Sequence, residues 1–352
     1  METAHTSCTA FAGKLADGSP VMGRNMDANV RNLFGKRWPV TYFAIRTAYG
    51  ENGEKPYASI GMVESTCISK SLNFNRILDG RTDISPLALL PYFITDGVNE
   101  MGLSVTELTL FGNPSYAKDG EGSVNICEAM IIRYLLDNCS DLQEAIDLAS
   151  TLNPETLMPG NDLHYFVVDA NGDYAILEWV KDSSEGGKNA LQVVRDIPYI
   201  SNLFCSARAR ELSDAGRFEN EALLPYKICK TMVHGKKENM QKYFGMDGTD
   251  KNATFNMSLD NRRCRFKQLK DAYNNTKCGI PGVFEDTDEA MDVLSKGFFS
   301  RTDGAITKTI TGPGELTLYG TIYNMTDRTL TMCVNENEHR VFRFNLDRPI
   351  RL

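Results

Sequence analysis

Three residues near the start of the chain, Cys8, Arg24 and Asp27, have the types and spacing for nucleophilic chemistry at a thiol. The thiolate is the nucleophile in cysteine chemistry, and a free cysteine is only a few per cent thiolate at neutral pH, so it needs a base or a positive neighbour. No Cys-His signature accompanies Cys8, and the four histidines (5, 164, 234 and 339) show no pairing at helical spacing. A different base becomes available if the bond after Ser7 is cut. Cys8 is then N-terminal, and its own α-amino group, with a pKa of about 7.7–8.0, lies within reach of its sulfur. Nucleophile and base would be one residue. Arg24 beside that sulfur would lower the thiol pKa, and Asp27 would hold the new amine in place. Spacing alone leaves a plainer alternative open: a surface ion pair and a small strand cysteine.

These residues need a hairpin to meet. "CTAFAGKL" alternates, "ADGS" is a turn with Gly18, and "PVMGRN" returns, so strands over 8–14 and 20–24 bring Arg24 back beside Cys8. Segments 40–49 and 57–63 read as a second strand pair, and 99–111 as a turn and strand. Apolar residues at 124, 127, 131 and 135 predict a helix over 124–138. Ser140 with Gln143 reads as a capping box, starting a second helix near 141. "LHYFVVDANGDYAILEWV" (163–180) is a hairpin around Asp-Ala-Asn-Gly. The span 219–296 reads as mainly helical, and the chain closes on strands. This order predicts layered sheets with helices outside, as one α+β domain. No repeat, low-complexity tract or linker marks an internal boundary.

The residues also carry a resemblance. "CT" at 8–9 followed by "GRNMD" at 23–27 resembles the opening of the choloylglycine hydrolase family, N-terminal-nucleophile (Ntn) hydrolases that include bile salt hydrolases and penicillin V acylases. Acid ceramidase and its relatives open similarly. "DGVNEMGLSV" (96–105) resembles the family's Asn-Glu-x-Gly-Leu turn, and "YISN", ending at Asn202, the strand that carries its oxyanion-hole asparagine. "RRCRFKQLKDAY" (262–273) resembles the helix start that bears the family arginine, placing it at Arg265, with Arg262 and Arg263 as neighbouring registers. "TLYGTIYNMTDRTLTMCVN" resembles the C-terminal strand pair.

The resemblance implies a four-layer αββα sandwich of two antiparallel sheets between helix layers. It implies a propeptide at 1–7, removed by self-processing between Ser7 and Cys8, and a catalytic domain over 8–352. Cys8 would be nucleophile and, through its amine, base. Arg24 and Asp27 would orient it, Asn202 would donate to the oxyanion, and Arg265 would support the site by charge. Many bile salt hydrolases have an asparagine ten residues after that of the Asn-Glu turn; here the position is Thr109, whose backbone N–H would serve instead. The implied reaction is hydrolysis of a linear amide in a small N-acyl substrate: a conjugated bile acid, a penicillin V-like amide or a fatty-acyl amino compound. An acyltransferase of the same fold and a silent ligand-binding relative that keeps its leader are the alternatives. Relatives are often dimers or tetramers. Trp38 and Tyr42 are candidates for an acyl pocket, as are loops 28–38, 64–86 and 110–122 for specificity.

Bulk properties narrow the rest. The 352 residues are 42% hydrophobic and 24% charged, with a net charge of −8. With no basic field to hold a phosphate backbone, nucleic acid is not an expected partner. No apolar run approaches the roughly 18 residues of a membrane span, and the first seven residues have no apolar signal core, so the sequence reads as cytoplasmic with no membrane partner. The nine cysteines contain no CxxC pair. Neither they nor the histidines suggest a metal, and no cofactor is expected.

Overall fold

The computed structural model describes residues 8–29, 42–47, 56–64, 90–111, 122–155, 161–181, 189–202, 204–214, 268–298, 315–334 and 337–347. The described strands are β1 (Cys8–Leu15), β2 (Pro20–Asn29), β3 (Tyr42–Thr47), β4 (Ser59–Glu64), β5 (Ile94–Asn99), β6 (Ser104–Phe111), β7 (Val124–Cys127) and β8 (Leu152–Glu155). They continue with β9 (Asn161–Val168), β10 (Tyr174–Lys181), β11 (Asn189–Val194), β12 (Tyr199–Ser201), β13 (Val283–Phe284), β14 (Glu315–Asn324), β15 (Thr329–Val334) and β16 (Asn337–Asn345). The helices are α1 (Ile131–Asn138), α2 (Leu142–Ser150), α3 (Ala207–Asp214) and α4 (Thr287–Ser295). A further helical stretch covers 268–274.

One sheet runs β12-β1-β2-β14-β15-β16, with β13 also on β1; the other runs β11-β10-β9-β6-β5-β4-β3. In both, consecutive pairs along these paths are antiparallel. The strand period of two explains the layering. Cys8, Ala10, Ala12, Met22 and Met26 from the first sheet pack with Ile60, Met62, Leu108, Phe166 and Val168 from the second, forming the core between the sheets. Phe11 and Val21, on the opposite face of the hairpin, pack with Leu294 and Met291 of α4 and with Leu269 and Tyr273. Val105, Tyr165 and Val167 turn outward onto Ile132, Leu135 and Leu136 of α1 and Ala145 of α2. The order is helix, sheet, sheet, helix: the αββα sandwich.

The β1–β2 hairpin forms as its residues predict. Ser19 N–H donates to Asp17 Oδ1 at 2.8 Å, and Gly18 takes a positive φ of 90° that a side chain would resist. Gly23 lies under the ring of Phe11, where a Cβ would collide. Asp169 organises the β9–β10 turn by accepting from the N–H of Asn171 and of Asp173 at 2.9 and 3.1 Å.

Two readings of the sequence are corrected. Residues 124–127 are not the first turn of a helix but β7, paired in parallel with β8; the helix begins at Ile131 after a short 3-10 turn. The cap of α2 is Asp141, which accepts from Glu144 N–H, while Ser140 bonds the Glu144 carboxylate through both its N–H and its hydroxyl. Most of the helical reading of 219–296 lies outside the described residues; 268–274 and α4 are helical within them.

Candidate active site

Cys8 opens β1 with its side chain between the sheets, 2% exposed. The hairpin register sets Cys8 opposite Met26 and Ala10 opposite Arg24, so the Arg24 side chain shares the inner face with the thiol. Its Nη2 lies 3.8 Å from Cys8 Sγ and 3.4 Å from Met26 Sδ, and donates to the Glu107 carbonyl at 3.3 Å. Met26 Sδ also accepts from the thiol at 3.7 Å.

The backbone nitrogen of Cys8 has a separate partner. It donates to Asn202 Oδ1 at 2.6 Å, and Asn202 Nδ2 donates to the Thr109 carbonyl at 2.7 Å. Asn202 follows β12, on the first sheet, while Thr109 is on β6 of the second. This contact is possible because β5 pairs with β6 only over Ser104–Thr106. Beyond that point the edge of β6 turns its Glu107 and Thr109 carbonyls toward Arg24 and Asn202. In an antiparallel strand the N–H and C=O of one residue point to the same side, so the Thr109 N–H faces this edge too.

Asp27 sits on the other face of β2, with Thr9 and Asn25. Its carboxylate accepts from Asn25 Nδ2 at 2.8 and 2.9 Å and from the Thr317 hydroxyl. Asn25 Oδ1 in turn accepts from Thr9 N–H at 2.7 Å and from the Thr9 hydroxyl. A β-bulge between Thr317 and Tyr319 aims Thr317 at Asp27, while Tyr319 points inward. The Asp27 backbone N–H faces the Cys8 sulfur closely enough to favour its thiolate. Arg265, Ser7 and Trp38 lie outside the described residues, as does the Tyr42 side chain.

The carboxylate nearest Arg24 is one that sequence reasoning passed over. Asp96 on β5 accepts from Arg24 Nη1 at 2.8 Å, from Tyr319 OH at 2.6 Å, from Thr95 Oγ1 at 3.2 Å and from Tyr323 OH. Arg24 and Asp96 are both fully buried, and the guanidinium lies 5.2 Å over the Tyr319 ring. Burial, then the Asp96 charge, pushes the Tyr323 phenol well above its ordinary range, so it stays a donor. The available signal was β14 itself, where Tyr319, Thr321 and Tyr323 place hydroxyls at every second position of the strand.

The electrostatics of Cys8 differ from the activated thiol expected from Arg24. Burial pushes the Cys8 thiol up to about 12; Arg24 and the Asp27 N–H pull it down, and the Asp27 and Glu107 charges add to the rise. Desolvation outweighs one guanidinium. The site holds a neutral thiol and needs a base to take its proton. Among the described residues, no three His, Cys, Asp or Glu side chains are placed to hold a metal ion, and no helix is long and apolar enough to cross a membrane.

Among the described residues, two seven-stranded sheets, antiparallel except where β13 joins β1 in parallel, lie between helices in the αββα arrangement of the Ntn-hydrolase fold. Residues 84–196, about a third of the chain, match the family model of linear amide C–N hydrolases, choloylglycine hydrolase family. The solved structures agree on the fold. A mutant conjugated bile acid hydrolase from Clostridium perfringens superposes with a TM-score of 0.57 at 17% identity, over 97% of this chain and 92% of its own. A second variant of that protein gives 0.56 at 16%, over 97% and 93%. Penicillin V acylase from Agrobacterium tumefaciens gives 0.53 at 16%, over 97% and 86%. No curated protein matches the sequence.

Proposed function

We propose that the chain is a linear-amide hydrolase whose nucleophile is Cys8 after removal of Met1–Ser7. The observation that carries this reading is the double clamp on one residue: Arg24 at the Cys8 sulfur and Asn202 at its nitrogen. A strand cysteine serving only as packing has no use for a buried guanidinium at one end and a buried amide at the other.

As a peptide nitrogen, Cys8 N has no lone pair to accept a proton, and the thiol stays neutral. Hydrolysis of the Ser7–Cys8 bond changes that. The freed amine, held through one N–H by Asn202 Oδ1, takes the thiol proton as sulfur attacks the substrate carbonyl. The oxyanion meets the Thr109 N–H and the second N–H of the Asn202 amide, the first being engaged by the Thr109 carbonyl. The C–N bond breaks as the Cys8 ammonium protonates the departing amine. Water, deprotonated by the Cys8 amine, then opens the thioester, releasing the acid and restoring the thiol. Asp27 and Asn25 hold β2 behind Cys8, and the family resemblance assigns a supporting charge to Arg265. The substrate is a small N-acyl compound of the bile-acid or penicillin V type.

Incubation with a glycine-conjugated bile acid and with penicillin V, reading released acid and amine, tests this. Turnover of either by the wild type and its loss in Cys8→Ala supports the reading. Equal rates in the two, or no turnover by a chain shown to begin at Cys8, contradicts it. An acyl product on an added amine in place of free acid would make the chain a transferase. The high thiol pKa favours a silent state for any chain that keeps its leader.

A further inference from the structure

Glu178 and His164 are both fully buried, on neighbouring strands β10 and β9, with His164 Nδ1 3.2 Å from Glu178 Oε1. The carboxylate also accepts two consecutive backbone N–H groups: Cys205 to Oε1 at 2.7 Å and Ser206 to Oε2 at 2.9 Å. Ser206 Oγ then accepts from Ala209 N–H at 3.3 Å, capping α3. Among the described residues, His164 Nε2 is buried with no hydrogen-bond partner. A buried acid–imidazole pair with an orphaned nitrogen is a costly way to fill an interior that apolar side chains fill more cheaply. Such an arrangement calls for a role beyond stability.

The location supplies one. Cys205 and Ser206 are the third and fourth residues after Asn202, where the chain leaves the edge of the first sheet. Glu178 belongs to the second sheet. It therefore ties the segment carrying Asn202 to the sheet that carries Thr109. Asn202 spans the same gap through its own amide, between Cys8 N and the Thr109 carbonyl. One side chain has to reach both sheets with hydrogen-bond accuracy, and the chain three and four residues beyond it is held by a carboxylate gripping two successive N–H groups. That grip is the strong, charge-assisted kind.

We infer that Glu178 is a positioning residue for the reaction: with His164 fixing its carboxylate, it sets Asn202 against Cys8 and Thr109. The inference rests on the proposed hydrolase reading. Neither residue touches the reacting atoms. Glu178 acts through Asn202, so its effect should vanish when the Asn202 amide is absent.

The test is a double-mutant cycle with Glu178→Gln and Asn202→Ala, using penicillin V and a glycine-conjugated bile acid as probes. In Glu178→Gln a side-chain NH₂ meets a backbone N–H, and misplacing Asn202 should lower kcat by about 10- to 100-fold with little change in KM. In the Asn202→Ala background the same substitution should cost less than about twofold. An equal loss in both backgrounds, or an unchanged kcat in Glu178→Gln alone, overturns the inference. If Glu178→Gln does not fold, His164→Leu and His164→Asn replace it. Asn keeps a donor near the Nδ1 position and should recover most of the kcat that Leu loses; equal activity in the two overturns the inference. If the wild type turns over neither probe, the hydrolase reading fails first. Hydrogen exchange at the Cys8 amide of chain that keeps residues 1–7 then decides: roughly tenfold faster exchange in Glu178→Gln at unchanged Tm supports the positioning role, and unchanged exchange rejects it.

Discussion

The Cys8 backbone nitrogen donates to Asn202 Oδ1 at 2.6 Å across 194 residues of sequence, and the same Asn202 amide donates to the Thr109 carbonyl on the opposite sheet. One side chain thus holds the atom proposed to become the catalytic amine and stands beside the edge proposed to receive the oxyanion. Removing it should strike both roles. Asn202→Ala is expected to lower kcat by about 10²–10³-fold, the range for loss of one oxyanion donor, while the chain still folds. Steady-state kinetics beside circular dichroism checks this; a kcat within threefold of wild type would remove Asn202 from the mechanism.

Arg24 and Asp96 form a fully buried ion pair, so removing either partner strands a charge in the interior. Asp96→Asn and Arg24→Met should each lose about 3–5 kcal/mol of stability. The double variant should lose clearly less than the sum, since it strands neither charge. Urea unfolding of all four proteins measures the cycle, and strict additivity would mean the pair is not coupled as drawn.

How far this pair could be read from the sequence shows where such reading stops. The hairpin that returns Arg24 to Cys8 was legible, because a Gly turn between two alternating runs is local chemistry. The family resemblance singles out Asn202 and Thr109, and the fold joins them to Cys8 through the Cys8 N–Asn202–Thr109 hydrogen bonds, their catalytic roles being the proposal. Asp96 was inside a quoted motif yet passed over, since its partners Arg24 and Tyr319 lie 72 and 223 residues away and meet it only when two sheets face each other. Residues 124–127 were misread for a similar reason: their spacing fits a helix face, but β7 is set by pairing with β8 at 152–155. Glu178 and His164 lie on strands that alternate as a hairpin should, and nothing local separates them from ordinary core positions.

Alkaline pH should destabilise the fold. Burial raises both Cys8 and Cys139 to about 12, above the ordinary thiol value of 9.0. Between those limits the unfolded chain releases these protons while the folded chain keeps them, so stability is complete below about pH 9 and falls as pH rises toward 12. Each thiol contributes a slope approaching about 1.4 kcal/mol per pH unit. Urea midpoints from pH 8 to 11 should decline, and Cys8→Ala should decline less steeply than wild type. A flat profile would contradict the burial assigned to these thiols.

Thiol reactivity should separate the two forms of the chain. With the leader present, Cys8 should alkylate slowly at pH 8, because its thiol is neutral and buried. A chain beginning at Cys8 should show hydrolysis that rises with pH through about 7.7–8.0, as the amine loses its proton and becomes the base. Peptide mapping after iodoacetamide and a pH–rate profile read these two outcomes; fast labelling of Cys8 in leader-bearing chain would contradict the first.

The proposed chemistry requires Cys8 to become the N-terminus, and intact mass spectrometry of the purified protein measures that directly. The expected result is loss of Met1–Ser7 in the wild type, with the full mass retained in Cys8→Ala if the cut is autocatalytic. A wild-type chain that keeps all seven residues through long incubation, yet hydrolyses its substrate, would contradict the central claim.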